Sequence, residues 1–313
     1  MSDVRRFDQQ NLIVLLFVQL SMVGILWLAS HTSGVFLVPA IVGFSFLGLS
    51  NYALMHEACH SGLNGRSENT NWLMGTMAGW MFPVSFTFMN IAHRVHHSHN
   101  RTDNELFDYY YPHDNKLIKF SQWYSILIGI YPPIIPLGSL LMAIAPWVFW
   151  MKPWQTAKSS SIIFDRSLFP SLILQRIRLE VVCGILFWII LFTLLQLDFW
   201  SVLWLYLAFW FNWSTRQYVT HAFSERDVMN GAHNLRVSRV MAWVLLNGHW
   251  DLVHHNHPFA RWQTLPELGR DSRAPISYWR QYFKQWLGPR PCPQVSPKAI
   301  EMEALKLFSR TTQ

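Results

Sequence analysis

The sequence is poor in charge and in sulfur. Only 14% of its 313 residues are Asp, Glu, Lys or Arg, against 51% hydrophobic, which is too little polar surface to cover a soluble globule of this size. The three cysteines, Cys59, Cys183 and Cys292, stand far apart with no Cys-x-x-Cys, which argues against a disulfide framework, a zinc finger and an iron–sulfur cluster. Missing too are a Gly-x-Gly-x-x-Gly after a strand and the signature of a fused haem domain. What is present is apolar and aromatic, with 17 Trp and 22 Phe, and 14 histidines stand out against it.

The apolar residues fall in runs. Residues 12–30 and 35–55 are each about long enough to cross a bilayer core, which takes roughly 20 residues. They are separated by a short turn, and no small-residue cleavage site follows the first, so a membrane hairpin is expected rather than a signal peptide. Residues 179–197 and 199–213 form a second pair. Arg5 and Arg6 precede the first run and Lys152, Lys158, Arg166, Arg176 and Arg178 the third, whereas the two tight turns carry no Lys or Arg. The net charge of +7 therefore reads as the positive-inside bias of a membrane protein and not as a nucleic-acid footprint. Both termini and the long connections are expected on the cytoplasmic side of a cytoplasmic membrane.

Two further apolar stretches, 72–89 and 123–150, are interrupted by Pro83 and by Pro132, Pro133, Pro136 and Pro146, so each reads as a re-entrant or interfacial hairpin. Gly75 and Gly79 offer a small-xxx-small face for close helix packing. The expected fold is all-α and polytopic: four transmembrane helices in two hairpins, re-entrant or interfacial helices, and a cytoplasmic helical cap. Residues 1–286 form one domain, and 287–313 a loose tail with a short helix near 298–308.

Three polar segments carry clustered histidines. In His56-Glu57-Ala58-Cys59-His60 the imidazoles are four apart and share one helical face. His93-Arg94-Val95-His96-His97 places three donors at i, i+3 and i+4, a face costly to desolvate without a metal. The third segment, 247–258, holds His249, Asp251, His254 and His255. All three fall on the same side of the expected hairpins, which points to one shared site. Imidazole suits Zn, Cu, Fe and Ni alike, so the spacing does not name the metal. Ligands beyond the span ends argue against a transport route, and His-His doublets exceed what b-type haem ligation needs.

At these residues the chain resembles the membrane fatty-acid desaturase and hydroxylase family, whose histidine boxes match His56 to His60 and His93 to His97 over roughly residues 51–268. The context around them, with acidic residues after the second box, looks like bacterial members. The resemblance implies two iron ions, O2 as co-substrate and oxidation of an unactivated C–H bond in a fatty-acyl or similar lipid. A carotenoid or other apolar metabolite is the alternative substrate, and a non-enzymatic metal-binding or metal-transport protein the remote alternative. Electrons are to come from a separate ferredoxin, rubredoxin or cytochrome-type donor. The resemblance also implies a ligand near the inner end of the last span, where His221 stands. The third box departs from the family pattern: its first ligand falls at Asp251, and His249 lies two residues earlier. Helical geometry favours the first and the element preference the second, and both stay open. No catalytic residue beyond the metal ligands is expected. His99 and His257 are candidates to orient ligands, Trp80, Phe82, Phe86 and Trp250 to wall a substrate channel, and Arg94, Arg101, Arg236 and Arg239 to dock an acidic donor.

Overall fold

The computed structural model describes residues 2–152, 163–292 and 294–300. It is mostly helical (66%), and three of its helices are long and apolar enough to cross a membrane. Helix α1 (Ser2–Ser30) turns through a 3-10 segment (Gly34–Phe36) into α2 (Leu37–Cys59), against which it packs. Both start or end beyond the apolar runs, because polar residues at the ends away from their connecting turn find partners there. Asn11 Nδ2 donates to the Gly62 and Leu63 carbonyls, and Asp8 accepts from Arg66 and Arg261.

The stretch 72–89 is not one helix. Helix α3 (Glu68–Met81), capped by Ser67, reverses through residues 82–85 into α4 (Phe86–His99), capped by Ser85. The glycines permit this tight reversal: a Cβ on Gly79 would stand 2.8 Å from the Val84 carbonyl oxygen, and one on Gly75 would strike the Phe86 ring. The second proline-broken stretch is likewise split, into α5 (Lys116–Leu127), α6 (Ile134–Ile144) and a 3-10 turn (Pro146–Trp150). Gly129 makes the bend between α5 and α6 with φ +85°, a left-handed backbone that side-chain-bearing residues rarely adopt.

Helix α7 (Ser171–Leu195) is the third long apolar helix, and it turns sharply at Gln196 into α8 (Phe199–Gln217). The tip of the α3–α4 reversal sits between them: Trp188 Nε1 of α7 donates to the Trp80 carbonyl, and Tyr206 Oη of α8 to the Met81 carbonyl. Glu180 of α7 is buried and accepts from Trp72 Nε1, Ser85 Oγ, and the backbone and side chain of Thr87. It thereby holds the first turn of α4, the helix that carries the second histidine box. The outer faces of α1, α2 and α7 expose Ile13, Phe17, Val38, Leu186 and Leu194. Water cannot favour such a surface and lipid can.

The described residues from 218 to 300 close over the histidine-bearing ends of these helices with α9 (Arg239–Val244), α10 (Asp251–Asn256), α11 (Leu265–Leu268) and α12 (Tyr278–Gln285). Two short parallel pairs tie the cap together: β1 (Tyr109–Tyr110) with β4 (Arg290–Pro291), and β2 (Leu235–Arg236) with β3 (Ile276–Ser277). The described part of the tail is fastened, not loose, since Cys292 N bonds the Tyr110 carbonyl and Ile300 N the Ser98 carbonyl. Residues 298–300 hold no helix, and Lys158 and the rest of the expected tail helix lie outside the described residues.

Candidate metal centre

Four parts of the fold bring imidazoles together. The last turn of α2 and its C-cap supply His56 and His60, one face of α4 supplies His93, His96 and His97, the turn after α8 supplies His221, and α10 supplies His254 and His255. One donor atom from each of His56, His60, His93, His97 and His254 falls in a single group, and one from each of His96, His221 and His255 in a second, with no two atoms of a group more than 4.8 Å apart. The groups touch, the rings of His97 and His255 stacking at 4.4 Å between centroids.

The nitrogens of the first group face one another. His60 Nε2 is 2.7 Å from His93 Nε2, and His97 Nε2 is 3.1 Å from both His93 Nε2 and His254 Nε2. A neutral imidazole nitrogen offers either one proton or one lone pair, so a nitrogen with two such neighbours cannot satisfy both. A cation satisfies all of them at once: donors roughly 2.1 Å from an ion and at right angles to each other stand about 3 Å apart. The donor set therefore fits a metal. Burial helps, because it disfavours imidazolium: His60, His93, His97 and His255 are held well below the ordinary histidine range, and His254 is pushed down to about 4. Their lone pairs are free at neutral pH.

The second group is poised differently. Burial alone would lower the pKa of His221, but the Asp251 carboxylate beside it and the Gly231 carbonyl raise it. Burial would raise Asp251, yet His221, His255 and His254 pull it well below the ordinary carboxylate range. Asp251 Oδ2 stands 3.0 Å from His221 Nε2 without forming a hydrogen bond. On its other side His221 Nδ1 lies 3.0 Å from the Gly231 carbonyl, which fixes its tautomer and leaves Nε2 for the site. His249 belongs to neither group; its ring lies beside Trp250, and its Nδ1 is buried without a partner.

Glu105 was missed by sequence reasoning. It is buried in the 3-10 turn after α4, with Oε2 3.4 Å from His96 Nδ1 and Oε1 unpaired. The acidic residues after the second box were the available signal, but only the turn carries Glu105 back over His96. Several expectations are corrected. Arg94 and Arg101 cannot dock a partner, being buried: Arg94 bonds Asn90 and the Cys59 carbonyl, and Arg101 pairs with Asp108. Arg236, Arg239 and His257 are exposed. His99 bonds Ser98 Oγ instead of a ligand histidine.

Beside the histidines lies a cavity of about 570 Å³. Its lining includes His56, His93, His96, His221, His254 and His255 together with the apolar Phe88, Ile126, Ile134, Leu141, Phe149 and Phe164. Trp80, Phe82, Phe86 and Trp250 do not line it; they pack on Phe187, Tyr52, Gly75 and Gly269 respectively.

Membrane-compatible helices enclosing a buried histidine cage beside an apolar cavity define a membrane protein with a metal site. The model of the fatty acid desaturase family matches residues 30–286, most of the chain, and the chain belongs to that family. A comparison with curated proteins found no match.

Proposed function

We propose that the protein is an O2-dependent di-iron oxidase that desaturates or hydroxylates an unactivated C–H bond of a fatty-acyl or similar lipid. The observation that carries this reading is that one cavity, within the volume range of ligand sites, is lined both by members of the two histidine groups and by apolar side chains. Bound iron would supply the redox chemistry for O2 that no side chain can. His56, His60, His93, His97 and His254 would hold one ion, and His96, His221, His255 and Asp251 the other, with His249 outside both sets. The other residues position and exclude. Gly231 and Glu105 orient His221 and His96, and the apolar side chains of the cavity keep water from the reacting carbon.

In this reading α8 is a fourth span, packed on α1 and α2, and residues 1–286 form one domain. The histidine end faces the cytoplasm of a bacterial cell, since exposed Arg5 and Arg6 lie at the same end of the bundle as the Asp8–Arg66 and Asn11–Gly62 contacts next to His60. Electrons come from a separate acidic donor of the ferredoxin, rubredoxin or cytochrome kind. Metal analysis of the purified protein, with membranes incubated under O2 with a reductase system and a panel of fatty-acyl lipids and carotenoids, tests it. Two irons per chain and an oxidised lipid by mass spectrometry are expected; zinc in both groups, or no oxidised product from an iron-loaded protein, overturns the reading.

A further inference from the structure

The second histidine group joins parts that lie far apart along the chain. His96 rides on α4 and His221 on the turn after α8, with 4.8 Å between their ring centroids. Arg226, in the loop that follows His221, ties the two together with a buried side chain. Its Nη2 donates to Asp103 Oδ1 at 2.9 Å and its Nε to the Arg101 carbonyl at 3.0 Å, both in the segment that leaves α4 and carries Glu105 over His96.

Residues 294–300 lie across this junction and bond both of its sides. On the His221 side, Arg226 Nη1 donates to the Gln294 carbonyl at 3.1 Å and the Arg226 amide to Gln294 Oε1 at 3.3 Å. On the His96 side, the Asp103 amide donates to Ser296 Oγ at 3.1 Å and the Ile300 amide to the Ser98 carbonyl at 3.0 Å. Ser98 stands in the last turn of α4, where carbonyls have no partner within the helix. The pairing of β4 with β1 anchors the chain just before this segment. Hydrophobic burial does not hold it in place, since Val295 is 88% exposed and Ile300 42%. Hydrogen bonds do, and they fall on the elements that flank the second group. The segment also lies outside residues 30–286, which the family model matches.

We propose that residues 294–300 are a clasp that positions the second histidine group, fixing the end of α4 and the turn at Asp103–Glu105 to the Arg226 loop so that His96 and His221 face one ion. This rests on the metal-binding role given to that group above. The first group has less need of it, because His56 and His60 at the end of α2 and His93 and His97 on α4 stand on helices that pack directly on each other. Slackening the clasp should therefore weaken the second ion and spare the first.

Stepwise binding of Co2+ to the metal-free full chain in a neutral detergent tests this without any call on iron chemistry, with bound metal counted by equilibrium dialysis and the imidazole-bound ion followed by visible absorption. Wild type is expected to take up two ions. The double variant Ser296→Ala/Ile300→Pro removes one acceptor and one donor of the clasp. It should bind the first ion as wild type does and the second about tenfold or more weakly, the cost of losing an outer partner of a metal ligand. Ser296→Thr/Ile300→Ala keeps the hydroxyl and the amide, and should match wild type for both ions. Neither position belongs to the core, so the thermal midpoint of the metal-free protein should hold in both variants. An unchanged second affinity in the Ala/Pro variant overturns the proposal, as does equal weakening of both ions or a Thr/Ala variant as weak as the Ala/Pro one. A wild type that binds a single ion removes both this inference and the two-metal function. A clasp-dependent second ion in a protein that oxidises no lipid leaves the inference standing and removes the function proposed above, and lipid oxidation with a clasp-independent second ion does the reverse.

Discussion

Asp251 and His249 stand two residues apart on either side of Trp250, and only the carboxylate faces the second histidine group. Asp251→Ala is therefore expected to lower metal content to about one ion per chain and to abolish oxidation. His249→Ala should keep both ions and change turnover by less than about tenfold, the lower edge of what a supporting side chain contributes. Metal analysis of the two variants side by side checks this, and the opposite ranking would put His249 in the cage. Spacing alone left the choice open because α10 begins at Asp251, so that residue's direction depends on a helix start invisible in the sequence. The doublets His96-His97 and His254-His255 were legible for the converse reason: within a helix, i, i+3 and i+4 fix which face a residue shares without any tertiary knowledge.

At the scale of elements, the α3–α4 reversal shows what sequence reasoning reached and where it stopped. The two boxes can meet only if the intervening run doubles back, and Pro83 marked the place; the turn at 82–85 lies there. The restraint on α4 was not legible, because Glu180 lies about a hundred residues away and looks in the sequence like a stray charge in an apolar helix. Glu180→Ala leaves the donors of Trp72, Ser85 and Thr87 unpaired away from water, and should destabilise the protein by about 3 kcal/mol or more. The drop in thermal midpoint should come with reduced metal occupancy, since α4 carries His93, His96 and His97; a full metal complement would mean that α4 is held by other contacts. Gly129→Ala is expected to cost about 1–3 kcal/mol, because its φ is left-handed and the new Cβ would stand 2.9 Å from the Phe211 backbone. A melting curve matching wild type would show that the α5–α6 bend relaxes freely. Arg94 and Arg101 teach the same lesson in reverse: beside a polar box they read as surface, yet Arg94 ties α4 to the end of α2 and Arg101 ties the segment after α4 to Asp108 and Tyr218.

For the whole molecule, the buried imidazoles make the metal-free protein sensitive to acid. Burial lowers His233 and His254 to about 4 from the ordinary 6.5. Between those values the unfolded chain takes up protons that the folded chain refuses, so stability is complete above about pH 6.5 and falls as pH drops towards 4. His221, raised by Asp251, works in the opposite sense but is outnumbered. The thermal midpoint of the metal-free protein should therefore fall between pH 7 and pH 5, and bound metal should blunt the fall by adding binding energy to the folded state only. A midpoint flat across that range would mean that the histidines are already hydrated without metal.

The cage draws on segments far apart along the chain. His56 leaves the ribosome long before His255, and no single helix offers more than three of the nitrogens. Misassembled copies cannot gather a full set of donors, so metal binding is withheld until folding has brought all four parts together.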